Sequence, residues 1–278
     1  MSITKNGLLH LAAAEYHAHS AVGHSSLVRL LRSPAHFQNY LVAPHEPTPA
    51  MQFGTAFHAA LLEPEAFAET YVVVPKFDRR TKEGKESAAR WESENVGKTA
   101  LTDEQMSALH EMTLNVRQHS GASRLLSQGQ AEMSCFWLDA ETGIECKCRP
   151  DFLASFEEQF CGIVDVKTCC DASAEGFSRS IVSFGYDVQA AFYQDGLKQL
   201  TGRTLPFYFL AVEKEAPFAV AVYRASEDLI EIGRAKYRGA LQLLRWCRDR
   251  GEWPGYQPGG EIETITLPRW AMNFDIEH

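Results

Sequence analysis

At 278 residues and 45% hydrophobic content, the chain can bury a full core and reads as a single domain over 1–278. A net charge of −9 excludes a wholly basic nucleic-acid coat, though it leaves room for a local basic track. No apolar run approaches the roughly 18 residues of a membrane span, no charged-then-apolar leader opens the chain, and the seven cysteines form no CxxC pair; the expectation is a cytoplasmic protein with reduced thiols and no membrane partner.

In chain order, the part up to about residue 130 reads helical. SSLVRLL and FGTAFHAALLEPEAFAETY have helical spacing of apolar residues. In SPAHF, Ser33 is placed as an N-cap and Pro34 at the first helical position. YVVVP predicts a short strand. Residues 76–98 hold seven Lys/Arg and five acids, which predicts a mobile polar loop running into an amphipathic helix. TDEQMSALHEMTLNVRQH opens on an N-cap with acids in its first turn, a helix signature. The period then changes to two over 131–168. AEMSCFWLD and IECKCRPDFLASF read as strands joined at AETG, and CGIVDVKT as a third. Over 173–250 the pattern predicts two helices broken near Gly185, then strands PFYFLAVEK and FAVAVYRA, then a long helix, with irregular residues after it. Together these elements predict an α/β fold in which a central mixed β-sheet is flanked by helices, with a helical N-terminal part.

The segment GIVDVKTCC carries an acid and a base inside a strand. Residues two apart share a strand face, so Asp165 and Lys167 project together while Val164 and Val166 face the other way. Asp151 is expected at the end of the preceding strand, fourteen residues earlier, where pairing brings its carboxylate beside Asp165. Two carboxylates sharing a site repel unless a proton or a cation lies between them. Magnesium prefers carboxylate and water oxygens and also binds phosphates. A neighbouring lysine can stabilise negative charge or orient the attacking water. The pattern is a plan for metal-assisted phosphodiester hydrolysis. Taken alone, D-x-K reads equally as a surface salt bridge on an edge strand.

Pro150-Asp151, a hairpin, and Asp165-Val166-Lys167 have the order and spacing of the PD-(D/E)XK nuclease core, and the chain resembles that superfamily. The resemblance extends to its RecB-like branch, through Gly54 and His58 as a G-x-x-x-H helix and Gln189 and Tyr193 as a Q-x-x-x-Y helix. Taken with LLRSPAHFQNYL, PKFDRRTKEGKESAARW, ETGIECKCRPDFL and IVDVKTCCDAS, these motifs resemble the nuclease domain of RecE-type exonucleases (exodeoxyribonuclease VIII) over about residues 20 to 250. The long N-terminal extension of that family's best-known member is absent here.

The resemblance implies a Mg²⁺-dependent exonuclease, with Mn²⁺ as a substitute. It would degrade linear duplex DNA from 5′ ends and leave 3′ single strands for a RecT-type annealing protein. It also implies a homotetrameric ring around DNA and a prophage setting. Residue by residue, Asp151 and Asp165 would hold metal, with His58 and the Val166 carbonyl completing the shell. Lys167 would orient or activate water. Gln189 and Tyr193 would position the scissile strand or support the metal shell. Glu132, expected to open the first hairpin strand, would help a second metal or the terminal phosphate. Arg79, Arg80, Lys82 and Lys85 of RRTKEGK would form a flexible phosphate clamp around Gly84, though a solvated loop is the plainer account. Lys147 and Arg149 are expected to face DNA, and Phe136 and Trp137 to lie in the core. Two alternatives remain open: another PD-(D/E)XK DNA nuclease, such as an endonuclease or repair nuclease, and a catalytically inactive DNA-binding module.

Overall fold

The computed structural model describes residues 7–43, 46–157 and 159–268, so the two ends of the expected 1–278 domain fall outside the described residues. The N-terminal part begins with β1 (Gly7–Leu9), α1 (Ala13–Ala18) and α2 (His24–Arg32). In α3 (Pro34–Val42) Ser33 accepts a hydrogen bond from the His36 N–H and Pro34 opens the helix, as its sequence predicts. Next come α4 (Pro49–Leu62), α5 (Pro64–Thr70) and β2 (Tyr71–Val73), then α6 (Lys82–Glu94) and β3 (Thr99–Leu101). Helix α7 (Asp103–Gln118) starts with a reciprocal capping box between Thr102 and Gln105, and α8 (Ser120–Leu125) follows.

The sheet region runs β4 (Gly129–Ala131), β5 (Ser134–Leu138), β6 (Glu145–Cys148), β7 (Phe152–Phe156) and β8 (Gln159–Cys169). Then come α9 (Ala174–Phe184), α10 (Tyr186–Thr201), β9 (Phe207–Glu213), β10 (Val220–Arg224) and α11 (Glu227–Arg250). The central sheet has the order β10-β9-β8-β7-β4 and is mixed: β8 and β9 are parallel, and the other pairs antiparallel. The α9–α10 pair is the crossover that a parallel pair requires. A second sheet, β1-β5-β6, is antiparallel. The two cores lie on opposite faces of the central sheet. Val164 and Val166 join Phe57, Met112 and Leu210 on one side, whereas Ile163 and Cys169 join Phe192, Phe209 and Leu241 on the other.

The structure departs from the sequence reading at four places. The run IECKCRPDFLASF is two strands in two sheets, divided at Arg149–Asp151, so Asp151 sits immediately before β7 and not at the end of a strand. Glu132 does not open a strand either: it sits between β4 and β5, where the chain passes from one sheet to the other, with φ of 53°. RRTKEGK is not a flexible loop. Lys82 and Lys85 belong to α6, whose start is capped by the Thr81 hydroxyl accepting from the Gly84 N–H. Gly84 serves close packing and not freedom, since a Cβ there would come within 2.0 Å of the Asp78 carbonyl oxygen. Finally, β8 is flanked by β7 and β9, which removes the reading of Asp165 and Lys167 as an edge-strand salt bridge.

Candidate active site

The strand that carries both cores also carries the charges. Asp165 and Lys167 occupy the β8 face otherwise filled by Ile163 and Cys169, so they interrupt an apolar row facing α10. Asp165 is only 1% exposed and lies within the strand, as the sequence places it. Its Oδ1 accepts from Gln189 Nε2 at 2.6 Å, and its Oδ2 forms an ion pair with Lys167 Nζ. The Lys167 ammonium lies 4.7 Å from the centre of the Tyr186 ring.

Asp151 reaches the same place from the other side of the β7–β8 pairing. Its Oδ2 accepts from the Val166 N–H at 2.6 Å, and its Oδ1 lies 3.4 Å from His58 Nδ1 on α4. Val166 thus meets Asp151 through its N–H. Glu132 comes in through its unusual backbone. Its N–H donates to the Asp151 carbonyl at 3.1 Å, while its Oε2 accepts from Arg149 Nε at 2.6 Å. His58, Glu132 and Asp151 each offer a ligand atom within 4.8 Å of the others. Asp165 stands outside that trio, its carboxylate engaged by Lys167 and Gln189.

His58, Glu132, Asp151, Lys167 and Gln189 line a cleft of about 700 Å³ whose other wall is the segment from Ala13 to Ser26, with Tyr40 and Arg248 also lining it; Asp165 lies buried behind Lys167 and Gln189. Tyr193 also lines it, one turn beyond Gln189 on α10, with its phenol buried. Burial pushes the Asp165 carboxyl up to about 6, with Lys167 opposing and the Asp151 charge adding. Burial likewise pushes Glu132 up to about 7, with Asp151 adding and Arg149 opposing. Burial would raise Asp151 too, but His58, Lys167 and the Val166 N–H outweigh it and hold the group low. Burial disfavours charge on His58 and on Lys167, yet the carboxylates beside them raise both. Burial thus favours the neutral forms of the Asp165 and Glu132 carboxyls despite the cations beside them. One imidazole and three carboxylates make an oxygen-rich donor set that fits a hard divalent cation.

The expected DNA-facing residues divide into two groups. Arg149 lines the cleft but holds Glu132 and the Leu11 carbonyl. Lys147 also reaches the cleft wall, yet it is buried and its ammonium donates to the Tyr16 and His19 carbonyls at 2.7 Å each; the expectation that it faces DNA is corrected, because that charge is already bound. Arg79, Arg80, Lys82 and Lys85 do not line the cleft. Arg79 pairs with Glu92, Arg80 with Asp78 and Lys82 with Glu86, all exposed. Phe136 and Trp137 are core residues, as expected. The sequence reading did not single out Tyr186 or the wall from Ala13 to Ser26. Tyr186 had a usable signal: it follows the break at Gly185 and precedes Gln189 by three residues, hence the same helix face. The wall had none, because its bridge to β6 through Val22 and Cys146 is a long-range contact.

Comparison with known proteins agrees with this geometry. Residues 23–268 match the model of a family described as "PDDEXK-like domain of unknown function (DUF3799)". No curated protein matches the chain significantly in sequence. Among solved structures, a protein of Eubacterium rectale named "Putative exonuclease" superposes with a TM-score of 0.61 at 14% identity, covering 96% of this chain and 100% of that one. An alkaline exonuclease of Laribacter hongkongensis also matches, at 14% identity over 86% of this chain and 97% of that one; its TM-score of 0.31 carries no structural argument. The first match supports the fold. Among the described residues, no helix is long and apolar enough to cross a membrane.

Proposed function

From the premise that the chain belongs to the PDDEXK-like domain family and is a metal-dependent nuclease of the PD-(D/E)XK class, we propose that it is a Mg²⁺-dependent 5′-to-3′ exonuclease on linear double-stranded DNA. One observation carries the catalytic part of this reading: Asp151 bonds β8 at Val166 and lines the cleft with Lys167, whose ammonium pairs with the buried Asp165 behind it. End polarity, and the supply of 3′ single strands to a RecT-type annealing protein, rest on the RecE-like motif order. The same resemblance supports a homotetrameric ring; the surplus of acids over bases fits a ring whose outer surface repels DNA.

In this reading His58, Asp151 and Asp165 hold the cation, with Glu132 beside them. A divalent cation there would neutralise charge at the scissile phosphate and acidify the attacking water. The chain's own groups do the rest. The Val166 N–H fixes the Asp151 carboxylate, Gln189 fixes Asp165, and Arg149 fixes Glu132. Lys167, kept charged by its two acidic neighbours, donates a hydrogen bond to the water and stabilises charge growing on the phosphate. The exposed Arg79, Arg80 and Lys82 would exchange their acidic partners for phosphates of duplex outside the cleft, with Lys85 beside them.

The test uses linear and closed-circular duplexes, labelled at the 5′ or the 3′ end, with and without Mg²⁺. The expected result is Mg²⁺-dependent release of mononucleotides from 5′ ends, with circles left intact. Nicking of circles would replace the exonuclease reading with an endonuclease one. Binding without cleavage under every metal condition would leave a DNA-binding module.

A further inference from the structure

We propose that Phe184 is a base-stacking platform that positions the DNA strand at the catalytic lysine. This inference rests on the nuclease reading and adds to it a residue that neither the motifs nor the family likeness singles out.

Phe184 is the last residue of α9, and 58% of it is exposed. An exposed aromatic ring is common on protein surfaces and by itself means little. This ring differs in its connections. It stacks on Tyr186, with ring centres 5.6 Å apart and planes 29° from parallel. The Tyr186 ring lies 4.7 Å from the Lys167 ammonium and forms part of the cleft wall. Beneath it, Tyr186 rests on Phe177 and Phe209 of the core, at 6.2 and 6.3 Å. The rings thus form a line from the sheet, past the lysine, out to solvent.

The line is also rigid. Gly185 separates the two rings at φ 68°, a left-handed conformation that ends α9 and starts α10 in one residue. Its carbonyl is held by His24 Nε2 at 2.9 Å. Burial keeps the His24 imidazole neutral, with its pKa lowered to about 4, so this hold carries no charge into the cleft. The backbone that carries Phe184 is therefore held before any ligand arrives, which lowers the ordering cost of stacking on its ring.

The occupant follows from the chemistry. A phosphodiester at Lys167 brings with it a base one sugar away, and an unpaired base at a strand end offers a flat π-face. Aromatic platforms bind such bases with little regard to sequence, which a nuclease acting on any end requires. Phe184 is the ring that stands both exposed and in line with the lysine.

The experiment is a cycle between protein and substrate. Wild type, Phe184→Ala, Phe184→Trp and Phe184→Leu are compared on a blunt duplex whose two terminal 5′ nucleotides carry bases or are abasic, with affinity and kcat/KM both measured. Phe184→Ala is expected to lose about 5- to 100-fold on the natural end, the range for one base–aromatic stack. The abasic end should cost wild type a similar factor, and the two losses combined should not multiply. Trp should restore the rate, and Leu, which keeps the apolar bulk without the π-face, should not. Phe184 contributes little to the core, so all variants should melt with wild type. The proposal is overturned if Phe184→Ala cuts natural ends at the wild-type rate, if its loss multiplies with the abasic loss, or if Leu serves as well as Trp. Wild-type protein that cuts no DNA overturns the nuclease reading itself; wild-type cleavage indifferent to residue 184 overturns this inference alone.

Discussion

Two regions of this molecule are rich in paired charges, and the pairs mean different things. At the start of α6, Arg79 meets Glu92, Arg80 meets Asp78 and Lys82 meets Glu86, all with water at hand. Such pairs contribute at most about 1 kcal/mol, and the basic partner can leave its acid for a phosphate at little cost. On β8, Lys167 at the cleft wall pairs with Asp165 inside the protein, where the carboxylate cannot be hydrated if its partners are removed. The same residue types are exchangeable in the first region and committed in the second. Burial, and not the count of charges, identifies the chemistry.

The difference is broken most severely at Asp165. Asp165→Ala should abolish cleavage and also destabilise the fold by about 1–3 kcal/mol, because it leaves the buried Gln189 amide and the part-buried Lys167 ammonium without their partner. Asp165→Asn should also abolish cleavage while keeping a hydrogen-bond partner for Lys167, and so lose less stability. Urea titrations of both variants beside a nuclease assay would test this; an Ala variant as stable as wild type would mean the pair is hydrated after all.

Lys167→Ala comes next. Turnover should fall about 10²–10⁴-fold, the range for a positioned proton-transfer or charge-stabilising group, with DNA affinity nearly intact. Near-normal turnover would reduce Lys167 to a partner of Asp165.

Protons and metal should compete for the buried site. Burial raises the Asp165 and Glu132 carboxyls to about 6 and about 7 in the fold, against 3.8 and 4.5 for the free groups. A carboxyl whose folded pKa is raised holds more protons folded than unfolded between those limits, so stability falls as pH rises from about 4 to about 7. His58, also raised, acts in the same sense, losing its contribution as pH climbs through its folded pKa. Mg²⁺ should therefore raise the melting temperature much more near pH 8 than near about pH 5, where protons already occupy the site. An equal gain at both values would place metal binding away from these carboxylates.

The smallest effect belongs to the exposed region. Neutralising Arg79, Arg80, Lys82 and Lys85 together should leave stability within about 0.5 kcal/mol of wild type and the cleavage of a bound end unchanged. Affinity for long duplex should fall and its salt dependence flatten, since fewer counterions are released. An unchanged salt slope would leave the patch as plain solvated surface.

Much of the architecture was legible in the chain. The Ser33-Pro34 start, the Thr102 capping box, the break at Gly185 and the limits of α11 are local signals, each written within a few residues. The alternation of β8 was legible as well, since a period of two puts Asp165 with Lys167 and Val164 with Val166 in any sheet. Local signals could not say that IECKCRPDFLASF changes sheets at Arg149, which depends on the distant partners β1, β5 and β8. Nor could they say that Lys147 would be taken up by the Tyr16 and His19 carbonyls, or that Glu132 would turn back through a left-handed residue to stand beside His58. The sequence by itself determined which residues can do this chemistry and which strand face they share. The tertiary structure alone decided which charges are buried and bound and which stay exchangeable, because burial is set by contacts between separate segments of the chain, from 15 residues apart for Asp151 and Val166 to 131 for Lys147 and Tyr16.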